Sequence, residues 1–106
     1  RAFCHINDVV NAINLCIQNI DKVDKSTLLN IGNNNEPISI KILAEKILKL
    51  NNLSADTHIV NIPLEETTRG VKREIYKRIP SIKKAKKELN YTPKVNLDKG
   101  LLEFLE

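Results

Sequence analysis

The chain has 106 residues, of which 42% are hydrophobic and 28% charged, and it carries a formal net charge of +4. This length suits one domain over residues 1–106, and the composition excludes a membrane span and a secretion signal. Two cysteines, Cys4 and Cys16, are too few for a disulfide framework, so we expect free thiols, a cytoplasmic location and no membrane partner. The sequence opens on Arg1 and lacks Met, so we also expect further sequence before it.

The first predicted element is a helix, capped by Asn7 or Asp8 and ending near Asp21. Its predicted inward positions recur at helical spacing, and they are Val9, Ile13, Cys16, Ile17 and Ile20. The sequence therefore predicts that this aliphatic face lies in the core of the domain.

Two further segments have the character of strands. Residues 27–31 form a short apolar run halted by Gly32, and residues 57–62 alternate between polar and apolar before a proline. Between them, Ser39 is predicted to cap a second helix.

The last third of the chain is predicted to hold a binding loop and two helices. Residues 64–79 carry Gly70 and scattered charge with weak periodicity, which is typical of a functional loop. Ser81 is predicted to cap a helix that turns its lysines to water, and Asn90 to take the left-handed position at its end. A final short helix is predicted from Asp98. Helices alternating with few strands predict an α/β class, in the form of a small, mostly helical domain with a few short strands.

Three blocks of sequence resemble a known family in order and mutual distance. They are R-A-F-C-H-I-N-D-V-V at residues 1–10, L-N-I-G-N at 29–33, and K-R-I-P-S-I-K-K-A-K with L-N-Y-T-P across 77–93. The blocks resemble the C-terminal substrate-binding part of an extended short-chain dehydrogenase/reductase, from the NAD-dependent nucleotide-sugar epimerase/dehydratase family. Within the family, the residues of these blocks most resemble those of the UDP-glucuronate decarboxylases and their epimerase relatives. Asn90 stands where the family usually has Gly, and Ser81 stands where Asp is commoner. Asn tolerates the left-handed conformation and Ser can still cap a helix, so both substitutions are compatible with the resemblance.

The resemblance implies a substrate domain without its Rossmann half. In such a parent enzyme, NAD on that half oxidises the sugar at C4, and epimerisation, dehydration or decarboxylation follows. The three glycines of this chain cannot form a Gly-x-Gly-x-x-Gly turn, and neither tyrosine has a lysine four residues later. We therefore expect no catalytic residue and no bound cofactor in this part, no activity from it alone, and NAD only in the parent.

The expected ligand is a nucleotide-diphosphate sugar, a UDP-sugar in the decarboxylases. Planar guanidinium groups bond two phosphate oxygens at once, which makes arginine the preferred clamp. The resemblance places Arg1 and Arg78 at positions that contact the diphosphate or the adjacent sugar. It places Arg73 and Arg69 in the loop that carries a further phosphate-binding arginine in related epimerases. The other expected partner is the Rossmann domain, and any homodimer would concern the intact parent.

Several single residues have a simpler explanation as structural residues than as ligand-binding or catalytic groups. Asp8 is predicted to cap the first helix, His5 to line a strand, and Tyr91 and Phe104 to be core or helix-packing aromatics. The histidines and cysteines lack metal-ligand spacing, so no metal site is expected.

Two other functions stay open. A net charge of +4, a pI of about 9.1 and the lysines within residues 83–87 fit a nucleic-acid-binding module. Against it, those lysines occupy the outward face of an amphipathic helix, and 4% aromatic residues supply no stacking platform, so no nucleic-acid partner is expected. A structural domain that has lost its ligand is the remaining alternative.

Overall fold

Five α-helices and one 3₁₀ turn form the regular structure of the described residues, 1–67 and 75–105, in this computed structural model. In chain order they are α1 (Ile6–Gln18), α2 (Ile40–Leu50), α3 (Ala55–His58), the 3₁₀ turn (Leu64–Glu66), α4 (Lys83–Leu89) and α5 (Leu97–Leu105). The helices fall into two compact units. The terminal unit comprises Ala2–Pro37 and Ile79–Glu106, and the middle unit comprises Arg1 and Ile38–Arg78.

The core of the terminal unit is built on α1 and α4. Its buried members come from α1, α4 and the residues flanking α4, and they are Ala12, Ile82, Ala85, Leu89 and Tyr91. The small side chains of Ala12 and Ala85 allow the two helices to approach closely, since neither adds bulk between the backbones. Leu29 and Ile31 pack against this cluster from the segment that precedes Gly32.

Helix α4 matches its prediction, apart from its cap. Ala85 and Leu89 face inward while the lysines are exposed, and Asn90 ends the helix in the left-handed conformation with a φ of 54°. Asparagine tolerates this conformation better than other residues with a side chain, which explains its use where the family has Gly. The predicted cap at Ser81 is wrong: the N-cap is Ile82, and no side chain accepts a hydrogen bond there.

The prediction of which face of α1 is buried is wrong. Asp8 and Ala12 are the buried residues of this helix, whereas Ile13 and Ile17 within it and Ile20 just after it are 54%, 63% and 61% exposed. Helical spacing identified an apolar stripe, but α1 has apolar residues on two sides, and only the side with the small Ala12 fits against α4. The outward aliphatic stripe is therefore a surface of the terminal unit.

The middle unit consists of α2 packed against α3, with the 3₁₀ turn after them. The Oγ of Ser39 accepts a hydrogen bond from the backbone N–H of Ile42, which confirms the predicted cap of α2. The apolar residues of α2 are only half-buried or exposed, and none is fully buried. This unit therefore has a much thinner core than the terminal unit.

The expectation of short strands, and with it an α/β class, is wrong for the described residues, which are mostly helical and contain no strand. Within the predicted strand 57–62, the first residues belong to α3, whose first turn contains Asp56, where a carboxylate is stabilised. Residues 27–31 do alternate between half-buried and exposed positions, as a strand would. They form no ladder within the described residues, and a strand requires a hydrogen-bonded neighbour.

None of the helices in the described part of the chain has the length and hydropathy needed to cross a lipid bilayer. Both cysteines carry free thiols.

Candidate functional site

A buried carboxylate joins the two ends of the terminal unit. Asp8 is 2% exposed, and its two oxygens accept hydrogen bonds from the backbone N–H groups of Lys94 (2.8 Å) and Val95 (3.2 Å). Asp8 therefore does not cap α1 as predicted. It lies inside the first turn of the helix and anchors a segment that is more than eighty residues distant in sequence.

The same segment is held from the other side by Asn33. The side-chain Nδ2 of this buried residue donates to the carbonyl of Val95 at 3.3 Å, and its Oδ1 accepts from the backbone N–H of Asn35 at 2.9 Å. Both backbone polar groups of Val95 are thus bonded by side chains, one from each of two other parts of the chain. Such fully paired buried groups fix a unique packing, because leaving any of them unpaired is costly.

Tyr91 is fully buried and donates its hydroxyl hydrogen to the carbonyl of Gly32 at 3.1 Å. The thiol of Cys4 lies 3.9 Å from the same hydroxyl. Burial, and next the contact with Cys4, raises the pKa of Tyr91 well above its usual range. Burial also raises the pKa of the Cys4 thiol. Tyr91 is a core aromatic, as predicted, and both groups stay neutral at physiological pH.

Gly32 is required by a close approach. A Cβ at this position would lie 2.7 Å from the Cγ of Pro80, which is too short for two carbon atoms. The glycine therefore lets Pro80 pack against the turn whose carbonyl accepts the hydrogen bond from Tyr91.

His5 connects α1 to α5. Its Nδ1 accepts from the backbone N–H of Asn7 at 3.3 Å, which makes His5 the N-cap of α1, and its Nε2 lies 3.1 Å from a carboxylate oxygen of Glu103. Gly100 leaves room for the ring, since a Cβ there would lie 3.2 Å from the Cδ2 of His5. The predicted role of His5 as a strand residue is wrong, because His5 caps α1 and the described residues form no strand. Phe104 is 79% exposed and meets the His5 ring edge-on, so it contacts a neighbouring element but is not a core residue.

The three sequence blocks of the resemblance therefore meet in one cluster of the terminal unit. The first supplies Asp8, the second supplies Gly32 and Asn33, and the third supplies Tyr91 with its neighbouring segment. Tyr91 joins the third block directly to the second, and residues 94–95, which follow the third block, bond to Asp8 of the first block and Asn33 of the second. This cluster, which we call the three-block cluster, is structural: among the described residues every buried side-chain nitrogen and oxygen atom, including those of the cluster, has a hydrogen-bond partner in the protein.

The predicted ligand-binding arginines lie outside the three-block cluster. Arg1 is half-buried and belongs to the middle unit. Its backbone nitrogen donates to the carbonyl of Ile38 at 2.6 Å, and its own carbonyl accepts from the backbone N–H of Ile38 at 2.9 Å. Ile38 precedes Ser39, so the backbone of Arg1 is held next to the start of α2. Arg78 is exposed and belongs to the same unit. Arg69, Gly70 and Arg73 lie outside the described residues.

The NAD expected in a parent enzyme does not fit the residues of the described chain. A dinucleotide site uses a glycine-rich turn whose backbone approaches the pyrophosphate. Gly32 is covered by Pro80, and Gly100 lies within α5 beside His5, so neither can form that turn. Among the described residues no group of three or more His, Cys, Asp and Glu side chains could hold a metal ion.

Comparison with known proteins identifies related enzymes. The chain is 34% identical over 101 residues, 95% of its length, to a UDP-glucuronic acid decarboxylase of Arabidopsis thaliana. It is 30% identical over 106 residues, its whole length, to the UDP-N-acetyl-alpha-D-glucosaminuronate decarboxylase of Bacillus cytotoxicus. It is 30% identical over 97% of its length to the UDP-D-apiose/UDP-D-xylose synthase of Oryza sativa. The chain is related to the UDP-sugar decarboxylases and synthases. The predicted resemblance to nucleotide-sugar enzymes is thereby confirmed.

The relationship concerns only part of those UDP-sugar enzymes. The chain spans between 26% and 31% of their length. No protein-family model matches the chain, and no solved structure is significantly similar to it.

Sequence reasoning missed the roles of four polar residues in the terminal unit: Glu36, Asn33, His5 and Asn96. Glu36 accepts from the backbone N–H of Leu97 at 2.8 Å, and Asn96 accepts from that of Lys99 at 2.8 Å, so both satisfy donors at the start of α5. Only Asn96 had a local signal, because an asparagine ahead of an apolar helical run is a strong cap. The other three act through partners distant in sequence or through a histidine cap that propensity does not favour.

Proposed function

We propose that this chain is the nucleotide-sugar-binding part of an NAD-dependent enzyme of the extended short-chain dehydrogenase/reductase type, with a UDP-sugar as its ligand. In such an enzyme the sugar is oxidised at C4 by NAD bound to a separate Rossmann domain. The part described here contributes recognition and orientation, which accelerate a reaction by holding the substrate in a reactive pose.

The observation that carries the proposal is the similarity of nearly the whole chain to enzymes whose names each include a UDP-sugar. The three-block cluster supports it, because hydrogen bonds connect residues of the three blocks, either directly or through residues 94–95.

The ligand-binding groups in this proposal are Arg1 and Arg78, with Arg69 and Arg73 as further candidates. Arg1 and Arg78 share the middle unit, and the backbone of Arg1 is tied to the residue before the cap of α2. The positive end of a helix dipole attracts a phosphate, as a guanidinium group does. A diphosphate bound in the middle unit would therefore meet two kinds of positive charge.

The proposal is tested by isothermal titration of the chain with UDP, UDP-glucuronate and UMP. We expect both diphosphates to bind more tightly than UMP, because UMP lacks the second phosphate group. Replacement of Arg78 by Ala should weaken UDP binding by about 1.5–3 kcal/mol, the usual value of a charged hydrogen bond, which is roughly a tenfold to hundredfold loss of affinity.

The matched control is Lys84→Ala, which removes one positive charge from α4 in the terminal unit. If the two variants weaken UDP binding equally, the effect is one of net charge and Arg78 is not in the site. Equal affinity for UMP and UDP would show that no diphosphate clamp exists. Binding of a short DNA duplex that is abolished by Lys84→Ala would favour the nucleic-acid-binding module instead.

A further inference from the structure

The ring of His5 uses both of its nitrogen atoms. Its Nδ1 accepts a hydrogen bond from the backbone N–H of Asn7 at 3.3 Å and so caps α1, and its Nε2 lies 3.1 Å from a carboxylate oxygen of Glu103 in α5. A ring nitrogen that accepts a hydrogen bond carries no proton, and a neutral imidazole carries its one proton on the other nitrogen. The neutral ring therefore has its proton on Nε2, the nitrogen beside Glu103.

The side chain of His5 is packed closely against α5. It is 7% exposed, its ring meets that of Phe104 edge-on, and a Cβ on Gly100 would lie only 3.2 Å from its Cδ2. Packing on these sides holds the ring in one orientation, so each nitrogen keeps its own partner.

A second proton on the ring is compatible with only one of these two contacts. It would occupy Nδ1, which could then no longer accept from Asn7, so two donor groups would face each other. The contact of Nε2 with Glu103 would instead become an ion pair. A positive charge at the first turn of a helix is also unfavourable, because the N–H groups there form the positive end of the dipole. Proton uptake would therefore remove the cap of α1 while it strengthens the contact with α5.

The other titratable groups of the elements around the ring have defined places. Asp8, the only charged residue of α1, accepts hydrogen bonds from backbone N–H groups with both of its oxygens. The thiol of Cys4 stays neutral, because burial raises its pKa. On α5, Asp98 and Lys99 are exposed, and Glu103 is the charged side chain in contact with the ring. Glu103 is therefore the charged partner that a protonated His5 meets.

We propose that His5 is a pH-sensitive switch of the terminal unit, which exchanges the cap of α1 for an ion pair with α5 when its ring takes up a second proton. Histidine is the side chain whose charge ordinarily changes between about pH 5 and 8. The effect extends beyond the ring, because the first turn of α1 contains Asp8, which holds residues 94–95. The inference does not rest on the proposed function, since every residue of the switch lies in the terminal unit.

The test is an NMR titration of the chain from about pH 8 to about pH 5, the range over which histidine changes charge. Nitrogen shifts at the upper end should show the proton of the His5 ring on Nε2, and the ring of His58, the other histidine, gives a separate signal for comparison. Protection of the backbone amide of Asn7 against hydrogen exchange is measured in the same samples and corrected for the pH dependence of exchange in an unfolded chain. It should fall about fivefold as His5 takes up its proton, which is the usual effect of losing a helix cap.

Two variants distinguish a switch from an ordinary structural contact. His5→Asn keeps a side chain that caps a helix but takes up no proton in this range, so the protection of Asn7 should not change with pH. Glu103→Gln keeps an acceptor for Nε2 and removes the anion, so the fall in protection should move to lower pH. Glu88→Gln is the matched control, because it removes the same charge from an exposed position on α4 and should leave the titration unaltered.

A ring proton on Nδ1 at the upper end of the range overturns the inference, as does protection at Asn7 that stays constant while His5 takes up its proton. Equal falls in protection in His5→Asn and in the unaltered chain also overturn it, because the change would then come from another group. If His5→Asn does not fold, the midpoint of the fall in Glu103→Gln decides: a shift to lower pH supports the switch, and an unchanged midpoint refutes it.

Discussion

Replacement of Asp8 by Ala should strongly destabilise the terminal unit. The carboxylate accepts two backbone hydrogen bonds, from Lys94 at 2.8 Å and from Val95 at 3.2 Å, and is 2% exposed. A hydrogen bond to a charged group contributes about 1.5–3 kcal/mol, so the pair contributes at most about 3–6 kcal/mol. Water can solvate the partly exposed N–H of Lys94 after the change, whereas that of Val95 is buried. We therefore expect a loss of about 2–4 kcal/mol in the free energy of unfolding.

The assay is urea unfolding followed by circular dichroism at the helical band. Asp21→Ala is the matched control, because it removes the same charge from an exposed position and should change the free energy of unfolding by less than about 0.5 kcal/mol. An Asp8→Ala variant that is as stable as the Asp21→Ala variant would refute the role of Asp8 as the link between α1 and residues 94–95.

Three more perturbations probe the cluster. In a Tyr76→Phe background Tyr91 is the only tyrosine, and its raised pKa means that folding favours the protonated phenol, so its contribution to stability is complete below pH 10.0 and falls above it. Tyrosinate absorbance should therefore rise only as helical circular dichroism is lost. A rise near pH 10.0 with the helices intact would contradict this. Gly32→Ala should lower the free energy of unfolding by about 1–3 kcal/mol, because the added methyl group overpacks against Pro80. A double-mutant cycle of urea unfolding should show a smaller loss in a Pro80→Ala background. Asn90→Ala should cost about 1 kcal/mol in thermal unfolding while Asn90→Gly is neutral or stabilising, because only alanine is strained at a φ of 54°, and equal melting temperatures would exclude that strain.

The local elements of this chain could be predicted from sequence, since their causes are local. The cap at Ser39 and the left-handed Asn90 each depend on residues within a few positions, and the structure confirms both. The inward side of α4 follows from a single apolar stripe. On α1, by contrast, apolar residues occupy two sides, and periodicity alone could not decide which side faces α4 and which remains outward.

The links between elements could not be predicted in the same way. Asp8 resembles a helix cap in sequence, yet its partners lie 86 and 87 residues away. Residues 27–31 have the pattern of a strand, but a strand also needs a neighbour, which no pattern within the segment can supply. Asp8, Gly32 and Tyr91 all lie in the blocks of the family resemblance, and the structure adds their hydrogen bonds, from Tyr91 to Gly32 and from residues 94–95 to Asp8.

The predicted site itself rests on sequence more than on geometry. Arg1 and Arg78 belong to the same unit, Arg69 and Arg73 lie outside the described residues, and the ligand-binding role of all four stays a prediction. The positions of the arginines were found through their place relative to the three blocks, because a single arginine on a surface has no distinguishing local pattern.

The central claim, that the middle unit binds a nucleotide sugar, is tested most directly by an amide-resolved NMR titration of the chain with UDP-glucuronate, with a short DNA duplex as the control ligand. The account predicts shifts that cluster at Arg1, at the start of α2 and at Arg78, with the nucleotide sugar alone. Amides that stay unperturbed at millimolar UDP-glucuronate, or shifts confined to residues 83–87 and produced equally by DNA, would contradict it.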